Sequence, residues 1–437
     1  MLLSMGIVGF AGLAPQTAQA QLQIDITQGV IEPLPIAVVD FFSEDSGLRE
    51  TGNNIATVIR NNLVRSGLFR AIREDAFIQT AQSLAVQPNY PDWRAINAEG
   101  LVFGRLAMER DGRLRVEFRL WDVVAQQQMT GLVYHTRPDN WRRVSHIISD
   151  AIFKRITGED GYFDTRIVYV SESGPGQRRI KRLAIMDQDG ANHKFLTDGR
   201  SLVLTPRFSP STQEITYLSY FNNRPRVYLF NIDTGQQELV GDFPGMTFAP
   251  RFSPDGNGVI LSQAIGGNTE IFSMDLRTRK KTKLTNHPSI DTAPSYSPDG
   301  QFVTFESDRS GRQQIYVMEA NGRGVQRISF GDGGYGTPVW SPRGDLIAFT
   351  RQHRGQFFIG VMRPDGSQEK TLATGYLVES PTWSPNGRFV IFFRQKRQNS
   401  QGIAKTNLFM VDLTGRNERQ IVTPTDASDP AWSPLIP

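Results

Sequence analysis

Six copies of one short motif, spaced almost evenly through the second half of the chain, limit the possible folds more than any other feature. A Pro-x-aromatic-Ser-Pro anchor recurs at Pro206–Pro210, Pro250–Pro254, Pro294–Pro298, Pro338–Pro342, Pro381–Pro385 and Pro430–Pro434, and successive first prolines lie 44, 44, 44, 43 and 49 residues apart. Such a period belongs to propeller blades of four short strands each. Helical repeats of similar length do not fit, because every unit carries prolines and alternating β-branched and aromatic residues.

The four middle anchors continue into Asp255-Gly256, Asp299-Gly300, Arg343-Gly344 and Asn386-Gly387. Proline presets φ at the second position of such a turn, Asp or Asn suits the third, and glycine takes the positive φ that lets a hairpin continue. A second strand is expected at Phe302–Ser307, Leu346–Thr350 and Phe389–Phe393, and a third at Ile271–Asp275, Ile315–Met318 and Leu408–Asp412. A fourth should end near Leu284-Thr285 and Ile328-Ser329. Arg166–Val170, Arg182–Asp187 and Lys194–Thr197 make a three-strand set with no anchor before it, whereas the anchor at Pro430 has no strands after it. The two sets fit together if the C-terminal strand completes the first blade, which closes the ring and removes open sheet edges. A six-bladed β-propeller is therefore predicted over residues 161–437.

Residues 21–160 follow a different rhythm. Pro35–Phe41 reads as a buried strand, and a helix capped near Thr51 places Ile55, Ile59 and Leu63 at helical spacing before Gly67. Strands around Leu101–Leu106, Leu114–Trp121 and Met129–Tyr134 follow, then a helix from Asp139 with Val144, Ile147, Ile148, Ala151 and Ile152 on one stripe. This predicts an α/β N-terminal domain, joined to the propeller by Gly158-Glu159-Asp160-Gly161. Before it, the apolar run Leu2–Ala14 with Ala18-Gln19-Ala20 reads as a signal peptide over residues 1–20, although no Lys or Arg precedes the run. Gln21–Thr27 alternates polar and apolar and reads as an extended strand. Beyond the leader, no segment approaches the roughly 18 apolar residues needed to span a bilayer.

Composition excludes several chemistries. The chain has no cysteine, so disulfides, thiolate catalysis and Cys-ligated metal are ruled out. The net charge of +4 is scattered rather than gathered on one element, which disfavours nucleic acid as a partner. No Gly-x-Ser-x-Gly nucleophile elbow is present, and His135, His146, His193, His287 and His353 show neither H-x-H nor H-E-x-x-H spacing. They read as ordinary surface or loop histidines. Gly331-Asp-Gly333-Gly334-Tyr-Gly336 matches a dinucleotide fingerprint by letters but opens no helix, and reads as a blade loop. The basic run Arg277, Arg279, Lys280, Lys281 and Lys283 reads as a solvated loop. No catalytic residue, cofactor or metal site is expected, and the chain is expected not to be an enzyme.

A closed ring offers a central canal walled by the innermost strand of each blade. If the anchors hold that position, the residues just before each anchor proline ring one mouth: Leu204-Thr205, Phe248-Ala249, Thr292-Ala293, Gly336-Thr337, Glu379-Ser380 and Ser428-Asp429. Concave sites with mixed lining bind ligands or peptides. An alternating terminal segment such as Gln21–Thr27 either edges its own sheet or adds to a partner's sheet.

The leader, the opening Ile24-Asp-Ile-Thr-Gln-Gly-Val followed by Pro35-Ile-Ala-Val-Val-Asp-Phe, and the six anchors with Ser-Pro-Asp-Gly together resemble the TolB family, periplasmic proteins of the Tol-Pal system. The resemblance spans nearly the whole mature chain. It implies a periplasmic, monomeric scaffold that binds Pal, the peptidoglycan-associated outer-membrane lipoprotein, at the canal mouth, and TolA through the mature N-terminus. The Pal surface would comprise Met246, Thr247, Phe248, Ala249, Asp291, Thr292, Ala293, Tyr335, Thr337, Glu379, Ser380 and Asp429, with Met246 standing where the family often has histidine. The TolA segment would be Gln21, Leu22, Gln23, Ile24, Asp25 and Ile26. Support of outer-membrane integrity and of invagination during cell division follows from the same resemblance, with other outer-membrane proteins as further partners. The alternative is a secreted propeller that binds or acts on peptides or oligosaccharides.

Overall fold

A computed structural model describes residues 22, 32–85, 87–175, 178–221, 224–241, 243, 247–398 and 404–437, without the side chains of residues 85, 221 and 247–249. The expected signal peptide, the strand Gln21–Thr27 apart from Leu22, and Met246 lie outside the described residues. The chain divides into two compact units, residues 1–148 with 155–158, and residues 149–154 with 159–437.

The first unit is built on a five-stranded mixed sheet. Strand β1 (Leu34–Val38) lies between β2 (Phe69–Ala71) and β3 (Gly100–Met108) and pairs in parallel with both. Strands β4 (Leu114–Asp122) and β5 (Gln127–Thr136) then extend the sheet antiparallel from β3. Helix α1 (Arg49–Arg65) buries Ile55, Ile59 and Leu63, the stripe that its spacing predicts. Its start differs from the reading at Thr51: a 3-10 turn at Ser46–Leu48 precedes it, and Asp45, not Thr51, accepts the Gly47 N–H at 2.8 Å. Gly52 lets α1 approach the chain before it, since a Cβ there would stand 2.1 Å from the Phe41 carbonyl oxygen. A short helix α2 (Tyr90–Ala95) places Tyr90 and Trp93 in a core with Leu84, Leu101, Phe103 and Trp121. Helix α3 (Trp141–Thr157) follows a 3-10 turn at Pro138–Asn140.

The second unit is the six-bladed β-propeller. Its six sheets have four strands each, among the described residues. Every anchor forms one edge strand of its sheet: Leu202–Phe208, Thr247–Phe252, Asp291–Tyr296, Gly334–Trp340, Leu377–Trp383 and Asp426–Trp432. Each edge strand touches the edge strands of the blades before and after it, and the last touches the first, so the six close a ring around the axis. The faces between neighbouring blades are apolar. Leu218 and Val227 of one blade, for example, pack on Val259, Leu261 and Phe272 of the next. The turn chemistry is that read from the repeat: Gly256, Gly300, Gly344 and Gly387 have φ of 74°, 71°, 80° and 67°. The anchor serine closes each of these turns; Ser297 Oγ, for instance, accepts the Phe302 N–H at 2.9 Å and donates to Asp299 at 2.5 Å.

The C-terminal strand closes the ring as predicted. Asp426–Trp432 pairs antiparallel with Arg166–Ser173, with Trp432 opposite Ile167. The Ser433 N–H donates to the Arg166 carbonyl at 2.9 Å, and the Trp432 indole N–H donates to Thr165 Oγ1 at 2.8 Å.

Three further sequence readings are corrected. His146 is no surface or loop residue. It lies in α3, 3% exposed, with its Nδ1 2.9 Å from Asn62 Nδ2, because the buried face of the helix extends beyond the apolar stripe to Ser145 and His146. The basic run is not wholly a loop, since Lys281–Lys283 forms the fourth strand of its blade, with the Lys281 ammonium 4.9 Å from the Phe272 ring centroid. Likewise, Gly334 and Gly336 belong to the edge strand itself.

Candidate functional site

The innermost strands do not run straight. In each, the pairing with the second strand of the blade shifts register at or next to the anchor proline, as between Thr292 and Ser295, Gly336 and Val339, Glu379 and Thr382, and Ser428 and Ala431. At this bulge the residue immediately before the proline is left-handed: Thr205, Ala293, Thr337, Ser380 and Asp429 have φ of 46°, 51°, 46°, 56° and 47°. A residue before proline favours extended backbone, and a β-branched residue such as Thr337 with positive φ is strained. Strain of this kind persists only where the surrounding structure enforces it, and bulges re-aim side chains near functional sites. The repeat has therefore placed one bent, strained step at the same place in five of the six blades, in the half of the innermost strand that leads into the anchor proline.

There the side chains make two sets of polar contacts that cross from blade to blade. Glu306, from the second strand of its blade, accepts the Thr292 hydroxyl at 2.5 Å and the Thr337 N–H of the next blade at 2.7 Å. Gly336 makes room for this carboxylate, since a Cβ there would lie 2.5 Å from Glu306 Oε2. Thr337 Oγ1 lies 2.8 Å from Thr350 Oγ1, and Ser380 Oγ donates to Asp429 of the following blade at 2.9 Å. Glu379 stands near both Glu306 and Asp429. Burial, followed by repulsion from Asp429 and then Glu306, pushes its carboxyl up to about 6. The mouth is thus an acidic belt of Glu306, Glu379 and Asp429, partly open to solvent, with Thr292, Ala293, Thr337 and Ser380 between them.

Not every expected residue faces outward here. Asp291 is wholly buried and held by the Arg309 guanidinium, with bonds of 2.9 and 2.7 Å. Tyr335 is 1% exposed and donates to Glu369, which also pairs with Arg351 at 2.8 Å. Both support the loops that carry the mouth. Backbone positions Thr247, Phe248 and Ala249 begin the strand Thr247–Phe252, at the same height as Thr292 and Ala293 in the next blade. Of the N-terminal segment Gln21–Ile26, only Leu22 is described, its N–H donating to Asp122 at 2.9 Å. Glu306 was missed by the anchor pattern because it sits on a second strand, where alternation alone marks it only as one residue of a half-buried strand.

At the other end of the same strands, the residue between the anchor proline and aromatic lines a cavity of about 390 Å³ that is common to all six blades. These residues are Arg207, Arg251, Ser295, Val339, Thr382 and Ala431. The canal therefore has two chemically different ends.

Fold and site together define a class: a closed six-bladed β-propeller whose axial canal opens through a ring of bulged, acidic strand beginnings, accompanied by a separate α/β domain. Residues 153–436 match the family described as the TolB beta propeller domain, and residues 22–129 match the TolB amino-terminal domain. The chain belongs to the TolB family. It is 66% identical over 432 residues to the Tol-Pal system protein TolB of Paramagnetospirillum magneticum, covering 99% of this chain and 96% of that one. It also resembles the crystal structure of TolB from Acinetobacter baumannii, with a TM-score of 0.82 and 30% identity, covering 95% of this chain and 100% of that one. Among the described residues, no helix is long and apolar enough to cross a membrane.

Proposed function

We propose that this chain is a non-enzymatic periplasmic scaffold of the Tol-Pal system that receives Pal at the acidic canal mouth and engages TolA through Gln21–Ile26. In this role it supports outer-membrane integrity and the inward movement of the outer membrane during division. Membership of the TolB family supplies the system. The observation that carries the choice of surface is the strained, left-handed step repeated at the mouth, held in place by hydrogen bonds that cross from blade to blade. A rigid ring of donors and acceptors is preorganised for a partner, which lowers the entropy lost on association. Met246, Ala249 and Thr292 are the positions that the family likeness assigns to the Pal contact.

The test is capture of the Pal periplasmic domain by the purified chain. Thr292→Arg puts a long cation in place of the hydroxyl that Glu306 accepts, and affinity should fall about a hundredfold, as for a central interface residue. Removal of residues 21–26 should abolish TolA capture and leave Pal capture intact. Equal Pal binding by Thr292→Arg and the parent would reject the mouth as the contact surface.

A further inference from the structure

The belt of six residues at the other end of the canal is unevenly charged. Two consecutive blades contribute Arg207 and Arg251, while the other four contribute Ser295, Val339, Thr382 and Ala431. Ser295 and Thr382 use their hydroxyl oxygens to accept the backbone N–H of Trp340 at 3.2 Å and of Trp432 at 3.4 Å, which links each blade to the next. Each hydroxyl keeps a proton to donate. The arginines have no such structural partner. Arg207 is only 9% exposed, yet its one hydrogen bond among the described residues goes from Nη1 to the carbonyl of its own neighbour Pro206, at 2.7 Å. The Nε atoms of both arginines are buried without a partner. Neither guanidinium forms an ion pair among the described residues. Asp429 acts on Arg207 from a distance and is already the acceptor of Ser380.

Such an arrangement is unfavourable as it stands. Burial, and then the neighbouring Arg207 cation, push Arg251 well below the ordinary guanidinium range. A guanidinium keeps its proton, so two neighbouring cations without a paired carboxylate, Arg207 buried and Arg251 half-buried, are relieved by an anion that enters the cavity. A planar guanidinium presents its N–H groups as a fork matched to oxyanions, and the cavity of about 390 Å³ has ample room for one.

We propose that the canal end opposite the mouth is a binding site for a small tetrahedral oxyanion, inorganic phosphate or sulfate, held between the Arg207 and Arg251 guanidinium groups with Ser295 and Thr382 as neighbouring hydroxyl donors. This site does not depend on the identity of the protein received at the mouth.

The experiment is thermal unfolding of the full chain in a phosphate-free buffer, titrated with phosphate, sulfate or acetate at ionic strength held constant with chloride. A ligand that binds only the folded state raises the melting temperature saturably. The expected result is such a rise with phosphate and sulfate below about 20 mM, and none with acetate. The Arg207→Gln/Arg251→Gln double variant should lose the response and, in phosphate-free buffer, melt no lower than the parent, since it sheds two neighbouring unpaired cations. The single Arg251→Gln variant should weaken apparent phosphate affinity about tenfold. No saturable shift, a response to acetate alone, an equal response in the double variant, or unchanged affinity in Arg251→Gln would each overturn the proposal. A phosphate-free double variant that melts well below the parent would mean that the arginines are structural, with the same consequence.

Discussion

Glu379 is where the electrostatics of the mouth become measurable. Its carboxyl is pushed up to about 6 by burial, Asp429 and Glu306, from an ordinary value of 4.5. It therefore binds its proton more tightly in the folded chain than in the unfolded one. Its stabilising contribution is complete below 4.5 and fades as pH rises through about 6. Glu379→Gln keeps the shape and removes the charge, so it should raise the melting temperature at about pH 7.5 and make little difference at about pH 4.5. An offset that is the same at both values would mean that Glu379 is not held in the acidic belt. At this scale the sequence was only partly legible. Thr292, Thr337, Ser380 and Asp429 could be found because each stands at a fixed offset from an anchor proline. Glu306 could not, because nothing in a strand's alternation says which neighbouring blade its carboxylate will reach. Arg207 and Arg251 were visible inside their anchors, but their meaning depends on which residues face them across the canal.

The strands of the propeller were largely readable because their signals are local. Prolines and glycines mark the turns, and apolar alternation marks the buried face, so Phe302–Ser307 runs as read and Phe389–Phe393 lengthens only to Gln395. Short elements escaped. Phe69–Ala71 is a three-residue strand that exists because β1 offers it a parallel partner, and Tyr90–Ala95 is a six-residue helix shaped by the burial of Tyr90 and Trp93. The start of α1 was misplaced because a 3-10 turn capped by Asp45 precedes the helix. The C-terminal strand is the element on which ring closure depends. Trp432 is 6% exposed, bonds to Thr165, and meets Tyr162 edge-on with ring centroids 5.7 Å apart. Truncation of so large a buried ring, Trp432→Ala, should lower stability by about 3–5 kcal/mol in urea unfolding followed by circular dichroism. A loss below about 1 kcal/mol would mean that the last strand adds little to the closed ring.

In the whole propeller, six units built on one repeated anchor close into a ring, and the differences between them give that ring its chemistry. The same offset from the anchor carries threonine, alanine, serine or aspartate at one end of the canal, and arginine, serine, valine, threonine or alanine at the other. Repetition makes the scaffold stiff where bulges are held across blades, as Thr337 is by Glu306 and Ser380 by Asp429. Variation then writes an acidic rim at one end and a cationic floor at the other. A partner protein is expected to land on the rim. The most direct measurement is hydrogen–deuterium exchange of the intact chain with and without the Pal periplasmic domain. Protection should appear together at 247–249, 291–293, 335–337, 379–380 and 428–429, segments far apart in sequence but assembled by the ring. Protection confined to the outer strands of the blades or to the N-terminal domain, with the rim unchanged, would contradict it.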